Sequence, residues 1–253
     1  MNKDISPVLE GWNYEPGQIS VRKIVGRDGR HKLQFRMDLG LLQMEMDGRP
    51  DGKRPHGSES FYAYHRGRLE RYQQVNGTDL GFELTPEECT KLRQEALMYY
   101  HRYLSLFVLE DYPRVVRDTG RNLDLLTLCR KYAAEPRDRR ALEGYRPYLL
   151  MMNTRARGSQ ALKKKEHKKA FHLIEEGIDT IRRCFEEQGR EEMLEKSNEL
   201  TILTNMGEEI QKQIPVPPEI QLRRKLDKAV KEERYEDAAR FRDLIDNNVK
   251  TRA

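Results

Sequence analysis

At 253 residues the chain is long enough for one large domain or two or three smaller ones. Charged residues make up 35% of it and its mean hydropathy is −0.90, a balance that suits long helices with solvated outer faces and argues against a compact sheet enzyme. The 47 basic and 42 acidic residues are interspersed, so a net charge of +5 is a weak pointer to nucleic acid.

The first residues carry no apolar run behind a basic one, so no secretory signal is expected. The longest apolar stretch, near residues 103–109, is far short of the ~20 residues that a membrane-spanning helix needs. Three widely spaced cysteines, at 89, 129 and 184, with no CxxC pair, read as buried thiols of a reducing compartment. The expectation is a cytoplasmic protein.

Residues 18–47 alternate in the manner of strands. Ile19, Val21 and Lys23 share one face, and Leu33, Phe35, Met37 and Leu39 share another. The Asp28-Gly29 pair between them predicts a hairpin turn, and a third strand is expected over 41–46. Three strands with one apolar face need a cover, which a helix over 59–74 or the helices further on would supply. From Thr85 the pattern turns helical. Thr85-Pro86-Glu87-Glu88 is a helix start, with an N-cap, a first-turn proline and acids near the positive end of the dipole. Helices are expected at roughly 86–109, 112–133, 137–163, 167–188 and 190–212.

An internal repeat runs through this region. Residues 111–134 align on 166–189 at an offset of 55, setting Leu123-Asp124 on Ile178-Asp179 and Cys129 on Cys184. The scaffold is therefore either an array like that of tetratricopeptide repeats, whose usual period is about 34, or an irregular helical bundle. Prolines at 215, 217 and 218 then make a stiff spacer over 214–218.

No phosphate-binding glycine loop, nucleophile elbow or His-Glu-x-x-His pair is present, so neither a cofactor nor a metal site is expected. Two basic segments remain. Arg49, Lys53, Arg54 and His56 sit among glycines and prolines in a loop that suits an anion, or simply joins strand to helix. Lys163, Lys164, Lys165, Lys168 and Lys169 form the densest basic cluster. Such a cluster can neutralise phosphates, but acids follow it and no aromatic platform interleaves it, which favours a solvated turn.

The richest segment is 219–250. Leu222, Leu226 and Ala229 step by four and three, a turn follows at 232–235, and Ala238, Ala239, Arg242 and Ile245 repeat the spacing. Small residues on facing stripes let two antiparallel helices approach closely. Tyr235 is expected to fold its ring over the turn, and Phe241 to project from the outer side. Ala229-Val230, Tyr235-Glu236-Asp237-Ala238-Ala239 and Arg242-Asp243 with Ile245 resemble the UVR motif. That motif ends the bacterial excision-repair subunit UvrB, lies within UvrC, and occurs in Clp ATPases and in the activator of a protein arginine kinase. Asn248 departs from the family's usual apolar residue. The resemblance implies a contact module that docks hairpins of its own kind. A segment this short, below ~40 residues, also needs something to pack on.

The fold expected is thus mainly α: a small N-terminal antiparallel β element with a helix (1–80), a helical scaffold (85–213), the spacer and a C-terminal helical hairpin (219–250). The function expected is a non-enzymatic adaptor linked to excision repair or to a Clp or arginine-kinase quality-control system. It would act through Leu226, Tyr235, Ala239, Phe241, Arg242 and Ile245 on a UVR-bearing protein or on a second copy. Two rivals remain. One is nucleic-acid binding through the lysine cluster and the loop of Arg49 to His56. The other is a small-ligand sensor or enzyme at the β element.

Overall fold

The computed structural model describes residues 4–214 and 218–250. These residues form two compact units, Met1–Glu209 and Ile210–Ala253, and the fold is mainly helical with one small sheet. In the first unit a short helix, α1 (Ser6–Leu9), precedes strands β1 (Val21–Val25), β2 (His31–Met37) and β3 (Gly40–Glu45), which pair antiparallel in that order. The turn between β1 and β2 closes through a 2.7 Å bond from the Gly26 amide to the Arg30 carbonyl, with Gly29 left-handed at φ 74° as an Asp-Gly turn requires.

The register sets Lys23 opposite Leu33 and Leu33 opposite Met44, and Val21 opposite Phe35 and Phe35 opposite Leu42. Leu33 and Met44 are buried on this face. The other face is polar, with Arg22 donating to Gln34 (2.8 Å) and Gln34 to Gln43 (3.0 Å). One expectation is corrected here. Leu39 does not extend the apolar face, because β2 ends at Met37 and the Leu39 side chain stands in the following turn, 91% exposed.

The cover of the sheet is α3 (Pro86–Val108), where the His101 ring meets Phe35 edge-on at 6.0 Å, and not α2 (Phe61–Asn76). Helix α3 begins as its sequence requires: Thr85 Oγ1 accepts from the Glu88 amide, and the Glu88 carboxylate accepts from the Thr85 amide at 2.9 Å. Next come α4 (Tyr112–Tyr132), α5 (Pro136–Arg140), α6 (Arg146–Lys163), α7 (His167–Glu187) and α8 (Asn198–Gln213). The single helix expected over 137–163 is broken, because Pro147 is placed in the first turn of α6 and cannot continue a helix from α5. Helix α8 starts at Asn198, well after residue 190. Left-handed Gly189 (φ 63°) stops α7, and the Ser197 hydroxyl accepts from the Leu200 amide to start α8.

Two of the helix-to-helix turns share one backbone geometry. Glu110 (φ 56°) and Lys165 (φ 59°), 55 positions apart, are left-handed in the turns joining α3 to α4 and α6 to α7. Each turn carries the same two bonds: Asp111 amide to Leu106 carbonyl (2.9 Å) with Glu110 to Phe107 (3.0 Å), then Glu166 to Ala161 (3.0 Å) with Lys165 to Leu162 (2.8 Å). This is the Schellman pattern with a non-glycine residue in the left-handed position. Helices α3 with α4, α4 with α6, and α6 with α7 pack as neighbours. Gly177 of α7 faces Thr154 so closely that a methyl group there would overlap the threonine side chain.

Two buried ion clusters tie the elements together. Glu95 of α3 has no exposure to water; its carboxylate accepts from the Phe61 (2.8 Å) and Tyr62 (3.1 Å) amides at the start of α2 and from Arg121 of α4. Arg49 Nε lies 3.3 Å from the same carboxylate. Nearby, Arg102 grips Asp118 through two bonds of 2.6 and 2.9 Å and donates to the Gly48 carbonyl at 2.7 Å. Removing one member of such a cluster strands the others in a dry interior. Glu95→Ala is expected to cost about 3–5 kcal/mol in urea unfolding, far more than a surface Glu70→Ala control.

Candidate interaction surface

The second unit holds the hairpin of α9 (Pro218–Lys231) and α10 (Tyr235–Lys250). Its turn repeats the geometry of the other two: Glu233 is left-handed (φ 55°), the Arg234 amide bonds the Ala229 carbonyl (2.8 Å), and Glu233 bonds Val230 (3.1 Å). Around the turn, Arg234 donates to Glu232 (2.7 Å) and Asp237 (2.8 Å), exposed pairs that orient the chain more than they stabilise it.

Between the helices Ala229 is fully buried and Ala238 is 8% exposed, so the two backbones approach through methyl groups. Leu222 and Leu226 on α9, and Phe241 and Ile245 on α10, are half-buried at the same three- and four-residue steps. Two expectations are corrected. Phe241 shares the stripe of Ala238 and Ile245, so it belongs to the seam of the hairpin and not to its outer side. Tyr235 does not cover the turn, since its side chain is 69% exposed. Ala239 and Arg242 are also exposed, with Arg242 bonded to Asp243 at 3.0 Å. The inner alanine of α10 is therefore Ala238 alone.

Among the described residues of the hairpin, the exposed large apolar side chains are Tyr235, Val230 (52% exposed) and Leu244 (49%). Leu244 was not singled out by sequence, and Val230 only as part of the motif, not as an exposed apolar residue. The spacer prolines at 215 and 217 lie outside the described residues, and Asn248 outside those whose side chains are described.

Elsewhere, the four basic residues of the 47–57 loop do not act as one set. Arg49 turns inward, 9% exposed, against Glu95 and over the Phe61 ring at 4.9 Å, while Lys53, Arg54 and His56 stay at the surface. His56 stacks on Tyr64 at 4.3 Å, and Arg54 reaches only the Gly57 carbonyl at 3.5 Å. In the lysine cluster Lys163 pairs with Glu110 and Lys169 with Glu166, each at 2.9 Å; Lys164, Lys165 and Lys168 are exposed. The three cysteines are buried, and among the described residues no group of His, Cys, Asp and Glu is arranged to hold a metal. Among them, too, no helix is long and apolar enough to cross a membrane.

The seam and the outer side make different demands. Phe241→Asp is expected to unfold the hairpin, read as a loss of helical circular dichroism and fast proteolysis after residue 214. Tyr235→Asp is expected to leave both readouts at the wild-type level.

Neither the curated proteins nor the solved structures compared with this chain match it. Residues 220–247 match the family model described as the UvrB/uvrC motif, so the hairpin of α9 and α10 is a motif of that family.

Proposed function

We propose that the chain is a non-enzymatic contact protein whose C-terminal hairpin docks a second hairpin of the UvrB/uvrC type, on a partner protein or on another copy. One observation carries the reading: within the matched motif an aromatic and two aliphatic side chains, Tyr235, Val230 and Leu244, are exposed to solvent. Aromatic side chains on an exposed surface are the usual anchors of protein interfaces, since a ring buries much area at little conformational cost. The inner alanines have already brought the two helices together, so the outer apolar groups are not needed to close the hairpin. The finer assignment, to excision repair or to Clp and arginine-kinase quality control, is drawn from the families in which such hairpins occur.

The test uses the full-length chain, by sedimentation equilibrium over a range of concentrations and by titration with the C-terminal hairpin of a bacterial UvrB. Association is expected in at least one arm, weakened at least tenfold by Tyr235→Asp combined with Val230→Asp. No association in either arm, or equal association by the folded double variant, overturns the proposal.

A further inference from the structure

Helices α3 and α4 form an antiparallel pair, and the bonds along it fix which residues face each other. Arg102 binds Asp118, Glu95 accepts from Arg121, and the Asn122 side-chain amide donates to the Ala96 carbonyl at 3.0 Å. Seven residues make about two helical turns, so a step of seven returns to the same face. From Ala96 that step leads back to Cys89, and from Asn122 it leads on to Cys129. The two cysteines therefore stand opposite each other, near the open end of the pair. Just beyond them the backbones are held together. The Leu84 amide bonds the Tyr132 carbonyl at 2.8 Å, and the Ala134 amide bonds the Leu84 carbonyl at 3.0 Å, forming a parallel bridge. A disulfide needs its two Cα atoms within about 7 Å, and a bridged pair of backbones so close by favours that approach.

The thiols meet as this register requires. Cys89 has no exposure to water and Cys129 is 2% exposed. A hydrogen bond from Cys129 draws the Cys89 thiol below its ordinary pKa, and the same bond together with burial pushes the Cys129 thiol up. Cys89 is thus the thiol that ionises first, and Cys129 the group that donates to it. The charges of Arg93 and Asp138, bonded to each other at 2.6 Å, act on both thiols, which sets α5 beside the pair. At five residues α5 is short, the kind of element that lifts away in local opening and admits a small solute. Cys184, on α7, stands outside this arrangement, with its sulfur accepting from Gln188 Nε2 at 3.4 Å.

We infer that Cys89 and Cys129 are an oxidation site that hydrogen peroxide or a similar hydroperoxide closes to a disulfide. The Cys89 thiolate attacks a peroxide oxygen; the S–O bond forms, the O–O bond breaks, and the leaving hydroxide takes up the Cys89 proton as water. The Cys129 thiolate then attacks the sulfenic sulfur; the S–S bond forms, the S–O bond breaks, and a second hydroxide leaves as water with the Cys129 proton. The two thiols together lose two electrons and two protons, and the peroxide is reduced to two waters. The new bond staples the open end of the α3 and α4 pair, whose other end is already closed by the turn at Glu110.

The test treats the folded, full-length chain with hydrogen peroxide, then quenches, unfolds and alkylates it for intact mass and peptide mapping. The untreated chain is expected to take an alkyl group on each of its three cysteines, and the oxidised chain on Cys184 alone. The map should show one linked peptide pair, holding Cys89 and Cys129, and dithiothreitol should restore all three thiols. Cys184→Ala should form the link as wild type does, and Cys129→Ala should halt at a sulfenic acid on Cys89 that dimedone traps. The linked chain should melt at a higher temperature than the reduced one, because the cross-link restricts the unfolded state. Alkylation of all three cysteines after peroxide, or a link through Cys184 or between two chains, would overturn the inference. So would a linked chain that melts below the reduced one, since its bond would then distort the helix pair.

Discussion

The first unit is organised around one carboxylate that has been removed from water. Glu95 accepts from two backbone amides and one arginine while a second arginine flanks it, so the cost of desolvating it is offset by donors from three separate parts of the chain. The two amides are those that open α2, which would otherwise lack partners at the helix start. The arginines come from α4 and from the loop after β3. One side chain on α3 therefore fixes where α2 begins and how both the loop and α4 lie against α3. Arg102 and Asp118 make a second tie of the same kind, reaching from α3 to α4 and to the carbonyl of Gly48. Such pairing specifies geometry more than it adds stability, because well-packed apolar residues can fill the same volume at lower cost.

Much of the architecture was legible because local chemistry decides it. The capping box at Thr85 and Glu88, the Asp-Gly turn before β2, and the start of α10 are short-range devices whose geometry follows from residue type and spacing. The two segments aligned at an offset of 55 are each entered by a turn of one geometry, with Glu110 and Lys165 left-handed, and the turn at Glu233 has that geometry too. Pro147 was also a local signal: a proline inside an apolar run breaks a helix where periodicity alone carries it through. What the sequence could not convey is which distant charges meet. Nothing in the spacing of Arg49, Glu95 and Arg121 says that they share one site, so Arg49 read as part of a surface loop that suits an anion or simply joins strand to helix, when it is an internal strut.

The hairpin shows how far a stripe rule reaches and where it stops. Steps of three and four residues identified the seam, and Ala229 and Ala238 occupy it. The same steps place Phe241 inside, a consequence that the expectation of an outward aromatic overlooked; size and hydrophobicity made it look like an anchor, whereas its phase along α10 makes it packing. Tyr235, three residues before Ala238, continues the same steps but stands at the first position of α10 and is solvent-exposed. Two aromatic rings a turn and a half apart thus differ in burial through their place along the helix and not through residue type.

The left-handed glutamate between α9 and α10 has a further implication. A residue with a Cβ is strained at φ 55°, and the strain vanishes if the turn straightens and the two helices run on as a single rod. In that opened form α10 of one molecule would find its matching stripe only on α9 of another, which is how domain-swapped dimers arise. An exchanged dimer would keep the same alanine contacts, so its balance with the closed hairpin would rest on concentration and on the cost of one backbone torsion.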